Sequence, residues 1–272
     1  MKTNKTSWGN VAEWYDDLLS QSSDSYQEKV ILPNLLRIIE PKGGMTVVDI
    51  ACGQGYFSRV IQEKGAKVIG CDISKELIDL AKAHSPKEIE YHTASADNLS
   101  FIKDATADVV VIILSIQNIE NIDGVFIECT RILKSDGRLV LVLNHPAFRI
   151  PKRSSWEWAI QPISSSITGA PKIGLPKEIN FRRIDGYMSE SRIEIDMTPG
   201  ETDIKKKKIT ISFHRSLQTY FKSMNKSGFA ITHLEEWISH KKSQKGKRAE
   251  EEDRMRKEIP MFLCLVGRKM KI

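Results

Sequence analysis

Two glycines one residue apart, Gly53 and Gly55, follow an apolar run that contains an acid: V-V-D-I-A-C-G-Q-G-Y-F-S over residues 47–58. A strand that turns through Gly-x-Gly straight into a helix lets the backbone approach a ligand closely. The exposed N–H groups of the helix start then favour a negatively charged ligand group. Asp72 closes the next strand-like run, where a carboxylate can accept both hydroxyls of a ribose. A dinucleotide fingerprint would want Gly or Ala at position 58, which holds Ser58, and would have no need of the earlier acid, Asp49. An acid just before the glycines suits a cationic ligand portion better.

A second set of residues collects downstream. N-H-P-A-F-R-I-P-K-R-S-S-W (144–156) brings His145, Arg149 and Trp156 together, F-R-R-I-D-G-Y carries Arg182, Arg183, Asp185 and Tyr187, and F-H-R-S-L carries His214 and Arg215. Arginines placed in this way hold a carboxylate or phosphate bidentately, or each is a structural residue of its own segment. His145 and His214 are the candidate proton acceptors, the alternative being a buried histidine held by a backbone hydrogen bond.

The elements that must position these groups alternate. Val30, Ile31, Leu35, Ile38 and Ile39 have a helical period over residues 25–39, and Pro41-Lys42-Gly43-Gly44 ends it. Residues 45–51 read as a buried strand, 54–64 as a helix, 66–71 as a strand, a helix capped by Ser74 runs to residue 84, and 89–93 is a short strand. V-V-V-I-I-L (109–114) is the most apolar run, a strand covered on both faces. A helix over 125–133 and a strand over 138–143 complete five alternations, which predicts a doubly wound, mostly parallel α/β sheet.

After Asn144 the rhythm breaks, and the alternation of Ile193, Ile195, Met197 and of Ile209, Ile211, Phe213 suggests a two-stranded antiparallel element. A helix at 217–224, a strand at 229–237 and a last strand at 259–266 follow; strands joined without a helical crossover pair antiparallel if adjacent. The charged run 241–257 between them reads as a solvated, mobile loop, the alternative being a basic docking arm for an acidic partner.

These residues resemble the class I S-adenosylmethionine-dependent methyltransferase family, especially the small-molecule branch whose first motif reads D-x-A-C-G-x-G. The resemblance spans roughly 30–144 and returns over 213–269. It implies a Rossmann-like seven-stranded sheet with an antiparallel last strand and an inserted α+β cap. Residues 1–144 and 208–272 would form the cofactor domain, 1–44 its N-terminal helical lid, and 145–207 the cap facing the acceptor. By the same resemblance Asp49, Ala51, Gly53 and Gly55 would lie against the methionine portion of S-adenosyl-L-methionine. Asp72 would bind the ribose and Ile73 pack on the adenine, Ala96 and Asp97 would meet the adenine amino group, and Leu114 and Ser115 would pass beside the sulfonium. Tyr15, next to Trp14, and Tyr26 fall in the helical segment that closes over the cofactor in related enzymes, where an aromatic face holds a sulfonium by cation–π attraction or simply packs. Gln117, Arg149, Trp156, Tyr187 and Arg215 make up the expected acceptor-facing set, with an acidic or aromatic acceptor, and His145 ahead of His214 as the base if one is used.

Composition bounds the alternatives. The 272 residues give room for one large α/β domain with an insertion, and 40% hydrophobic with 28% charged residues excludes disorder of the whole. No apolar stretch approaches a membrane span and none resembles a secretory signal, so a cytoplasmic protein is expected. The four cysteines, Cys52, Cys71, Cys129 and Cys264, are never spaced C-x-x-C, which argues against a metal knuckle or a disulfide scaffold; no metal is expected. A net charge of +6 permits nucleic-acid binding without demanding it. Strand four continues L-S-I-Q-N-I-E-N, without the Asn/Asp-Pro-Pro-aromatic motif of the base-N methyltransferases, and the Pro-Cys nucleophile of the cytosine-C5 enzymes is also missing. Methylation of RNA or protein and a non-catalytic cofactor-binding role remain the rivals, and an NAD-dependent oxidoreductase comes last.

Overall fold

In the computed structural model, described for residues 8, 24–161, 177–198, 200, 202–203 and 207–270, the apolar run after Asp108 forms the centre of the molecule. This is β4 (Ala107–Ile113), and Val109, Val110, Val111 and Ile112 are all fully buried. Alternate side chains of a strand point to opposite faces. Val110 and Ile112 accordingly join one core with Phe126, Cys129, Tyr220 and Met224, while Val109 and Val111 join another with Leu35, Ile39, Ile61 and Ile78. A strand covered on both faces needs helices on both, and that requirement organises the rest.

Around β4 a seven-stranded sheet has the order β10-β11-β5-β4-β1-β2-β3. Its members are β1 (Thr46–Ile50), β2 (Lys67–Asp72), β3 (Glu90–Thr93), β4, β5 (Leu133–Asn144), β10 (Phe229–Trp237) and β11 (Phe262–Lys269). The pairs among β1 to β5 are parallel, and β11 is antiparallel to both β5 and β10. A π-helical turn, Gln27–Ile31, leads into α1 (Leu32–Ile39), and α2 (Tyr56–Glu63) and α3 (Lys75–His84) cover the same face. On the other face lie α4 (Ile122–Ile132) and α5 (Leu217–Lys226). Strand order reverses between β1 and β4, and a crevice opens at such a switch point beyond the carboxyl ends of the strands.

Between β5 and α5 the chain forms two antiparallel hairpins outside this sheet: β6 (Ser154–Gln161) with β7 (Lys177–Ile184), and β8 (Ser191–Asp196) with β9 (Ile209–His214). The alternation of isoleucines announces the second. The first has no such pattern, since Trp158 pairs with Asn180 and Trp156 with Arg182.

The charged run 241–257 is corrected: its second half is a helix, α6 (Ala249–Glu258), rather than a mobile loop. Three glutamates in its first turn and Arg256 and Lys257 in its last complement the helix dipole, and Arg254 pairs with Glu251 three residues back. Buried Glu251 accepts the backbone N–H of Asn180 at 3.1 Å, and Arg248 pairs with Glu178 at 2.9 Å while its guanidinium lies over Trp158, so α6 docks on β7 and its hairpin. No described helix is long and apolar enough to cross a membrane, no group of three or more metal-ligating side chains occurs among the described residues, and all four cysteines are free thiols.

Candidate active site

The carboxyl end of β1 turns sharply. Ala51, Gly53 and Gly55 all have positive φ (55°, 58° and 82°), as does Leu114 (53°) at the end of β4. A left-handed conformation is strained for Ala51 and Leu114, and both line the pocket between the two strand ends. Gly55 starts α2, and a Cβ there would overlap the Tyr91 hydroxyl, so no other residue fits without a rearrangement.

Two buried carboxylates stand at the pocket floor. Asp49 accepts a hydrogen bond from Ser58 Oγ at 2.6 Å, and burial pushes its carboxyl up to about 7, with Ser58 pulling it down and the charge of Asp72 adding to the rise. Asp72 accepts the backbone N–H of Gly53 at 3.0 Å and of Ser74 at 2.9 Å. Burial raises its pKa as well, and these backbone donors offset part of the rise. Ser58, which a dinucleotide site would replace by Gly or Ala, is thus the donor that holds Asp49.

Ile73, Ser115, Asn118 and Trp8 complete this pocket with Asp49, Ala51, Gly53, Asp72 and Leu114. Ser115 Oγ is buried there without a hydrogen-bond partner among the described residues. An adjoining lobe shares Ala51, Asp72 and Ile73 and adds Ala96 and Asp97. Asp97 accepts from Ser95 Oγ at 2.5 Å and from Asn121 Nδ2 at 2.8 Å, and these donors, Ser95 first, hold it below the usual carboxylate range.

A third cavity, of about 440 Å³, meets the pocket at Trp8, Leu114 and Asn118 and is lined by Gln117, Asn144, Arg149 and Arg182. Gln117 donates to the Leu114 carbonyl at 2.6 Å, and its Oε1 is buried and has no partner among the described residues. An apolar pocket at the switch point of a doubly wound sheet, with two buried acids and an orphaned hydroxyl, fits a nucleoside ligand with a cationic portion.

The comparisons with known proteins agree. The model of the methyltransferase domain family matches residues 48–141. A solved S-adenosylmethionine-dependent methyltransferase from Mesorhizobium loti is 27% identical, with a TM-score of 0.63 over 87% of this chain and 96% of that one. Residues 48–141 are a methyltransferase domain, and the chain is an S-adenosylmethionine-dependent methyltransferase with the Rossmann-like fold of such enzymes. Its cofactor is S-adenosyl-L-methionine. Among curated relatives, the demethylmenaquinone methyltransferase of Streptomyces avermitilis is 28% identical over 60% of this chain and 71% of its own length. A ubiquinone biosynthesis O-methyltransferase of Idiomarina loihiensis is 27% identical over 35% of this chain and 41% of its own length.

The remaining expected residues of this methyltransferase lie apart from this pocket. Gly55 is a turn residue and is not among those lining the pocket. Tyr15 lies outside the described residues. Tyr26 lines a separate cavity with Arg149, Trp156 and Arg182, its hydroxyl 3.1 Å from Ser239 Oγ. Tyr187 accepts the N–H of Leu217 on its hydroxyl, and its carbonyl accepts His214 Nε2–H at 2.9 Å. Arg215 donates to the Glu120 carbonyl at 2.7 Å, stacks on Phe213, leaves Nη1 buried without a partner among the described residues, and lines a small cavity with His214 and Gln117. His145 is buried with both nitrogens engaged: Nδ1 accepts the Ala147 N–H at 3.2 Å, and Nε2 lies 2.7 Å from Glu236. Burial holds its pKa below the usual histidine value, against the pull of Glu236, and it is not among the residues lining these cavities.

Trp8 and Asn118 line the pocket without being among the expected residues. Trp8 sits in a polar stretch with no periodicity to mark it, whereas Asn118 is one residue from Gln117 in L-S-I-Q-N and was within reach.

Proposed function

We propose that this methyltransferase, a cytoplasmic enzyme, methylates a small organic acceptor, acidic or aromatic, in the cavity of Gln117, Asn144, Arg149 and Arg182. Continuity carries the reading: the cavity shares Trp8, Leu114 and Asn118 with the cofactor pocket, and Ile195, Met197, Thr210 and Ser212 of the β8–β9 region wall it in. Its volume of about 440 Å³ suits a metabolite, since small-molecule sites run from about 300 to 1,000 Å³. Two of the relatives are named for demethylmenaquinone and for ubiquinone biosynthesis.

Asp49, Ala51 and Gly53 would hold the methionine portion of S-adenosylmethionine, with Gly55 shaping the turn. Asp72 and Ile73 would hold the ribose and adenine, Ala96 and Asp97 the adenine edge, and Leu114 and Ser115 the wall between cofactor and acceptor. The orphaned Ser115 hydroxyl and the burial-raised Asp49 fit this ligand, because a cationic group beside Asp49 favours its charged form. When bound, S-adenosylmethionine supplies a methyl group on a positively charged sulfur, which a lone pair of the acceptor takes by direct displacement while the C–S bonding pair returns to sulfur. The chain's own part is to orient the acceptor and exclude water. His214 lines a small side cavity shared with Gln117, Asn144 and Arg149 rather than the acceptor cavity itself; with Nε2–H committed to the Tyr187 carbonyl it offers Nδ1 as its basic atom for an acceptor that must lose a proton, whereas both ring nitrogens of His145 are engaged.

Calorimetric titration with S-adenosylmethionine, S-adenosylhomocysteine and NAD, on the wild type and Asp72→Ala, tests the cofactor reading; screening small acids by product mass tests the acceptor reading. We expect the first two ligands to bind, the variant to bind them about 10–100-fold more weakly, and a mass increase of one methyl group on the acceptor. Binding without product from any small acceptor favours the non-catalytic rival. RNA binding that weakens steeply with salt favours the RNA rival, although α6 pairs Arg248, Arg254 and Arg256 with Glu178, Glu251 and Asp253.

A further inference from the structure

Arg149 carries the observation that goes furthest. Its side chain has no hydrogen bond or ion pair among the described residues; the guanidinium lies over the Phe262 ring, 5.5 Å from its centroid. The backbone fixes it, since the Arg149 N–H donates to the His145 carbonyl at 2.9 Å immediately after β5. Arg182 faces the same two cavities from β7. Two neutral oxygens aim it: Nε donates to the Phe148 carbonyl at 2.8 Å and Nη2 to Ser154 Oγ at 2.7 Å, with the guanidinium over Trp156. No carboxylate pairs with either arginine among the described residues.

Arg131 and Arg254, by contrast, are neutralised by carboxylates, Arg131 by Glu128 and Asp104, and Arg254 by Glu251. Burial lowers the pKa of both cavity arginines, and Arg182 adds repulsion to Arg149. Two like charges held side by side in a concave site are stabilised by an anion that bridges them, and guanidinium forks match carboxylate and phosphate oxygens in pairs.

We propose that the acceptor carries a carboxylate or phosphate group that binds between Arg149 and Arg182, at the end of the cavity away from Leu114 and Asn118. This rests on the small-molecule reading above and names the class of molecule: an organic oxyanion whose nucleophilic atom lies at the opposite end from its charge. Gln117, held on the Leu114 carbonyl and with its Oε1 unpartnered among the described residues, lines the same cavity and fits a donor on the body of the molecule.

The test uses the full chain saturated with S-adenosylhomocysteine, titrated with sodium benzoate and separately with inorganic phosphate, read by calorimetry and by chemical-shift changes. We expect saturable one-to-one binding of at least one probe, weakened by salt, and weaker by about 10–100-fold in Arg149→Met and in Arg182→Met. Arg149→Lys, which keeps the charge and loses the fork, should fall between. Preference for benzoate identifies the carboxylate source, and preference for phosphate the phosphoryl one. The affinity for S-adenosylhomocysteine should stay at the wild-type value in each variant, which also shows that the variant is folded. Binding of neither probe to the loaded wild type, or binding unaltered by the Met variants, overturns the proposal while leaving the methyltransferase reading intact. Failure of the wild type to bind S-adenosylhomocysteine overturns the reading on which it rests.

Discussion

Asp49→Asn should make the protein more stable and less able to bind its cofactor. The carboxyl ionises near 3.8 in an unfolded chain and near 7 in the folded one, mainly because it is buried. A raised folded pKa contributes stability that is complete below the lower value, declines as pH rises, and is gone above the upper value. With about three pH units at 1.36 kcal/mol each, the variant at pH 8 gains up to about 4 kcal/mol over wild type. From pH 5 to pH 8 its advantage should grow by about 3 kcal/mol. Urea unfolding at the two pH values measures this, and titration with S-adenosylmethionine measures the other half. At pH 6 the wild type should also release a proton on binding, because a cationic ligand group favours the ionised acid, while the variant should not. An advantage that does not depend on pH, or undiminished cofactor affinity, would refute the assignment of Asp49 as a buried acid held for a cationic ligand.

Three further outcomes follow from the geometry. Gly55→Ala places a Cβ against the Tyr91 hydroxyl at a positive φ, so urea unfolding should show a loss of about 2–4 kcal/mol. Glu251→Ala leaves the Asn180 N–H without its acceptor and Arg254 without its partner. It should cost about 1–3 kcal/mol and speed proteolysis between residues 241 and 258. His145→Gln should leave the pH profile of turnover unchanged, whereas His214→Gln should lower turnover with a proton-losing acceptor and leave S-adenosylhomocysteine affinity alone; the reverse pattern would make His145 the base.

The sheet was legible because its information is local. V-V-V-I-I-L can only be a strand covered on both faces, and the Gly-x-Gly turn with Asp49 before it and Asp72 after it marks the crevice without reference to anything distant. The resemblance to the methyltransferase family was carried by the same residues. What sequence could not supply was long-range. β6 and β7 pair Trp158 with Asn180 and Trp156 with Arg182, a register no periodicity announces. α6 has almost no apolar residues, and its stability comes from the paired charges and from Glu251 reaching β7. The two histidines look alike in sequence; only the partners of their ring nitrogens separate them.

The chain leaves the sheet after Asn144 and rejoins it at Phe229, yet β5 is hydrogen-bonded to β11 from Arg138 to Asn144 without interruption. The sheet beneath the pocket is therefore completed by β11 without the hairpins, and of the hairpin strands only β8 and β9 reach the lobe beside Ala96 and Asp97, through Arg192, Ile211 and Phe213. Mutations in β6 and β7, which supply none of the residues lining the pocket or its adjoining lobe, can accumulate without touching either. A lineage built on this plan can exchange one acceptor for another while keeping its methyl source, and most of the difference between two such enzymes should be written between residues 145 and 215.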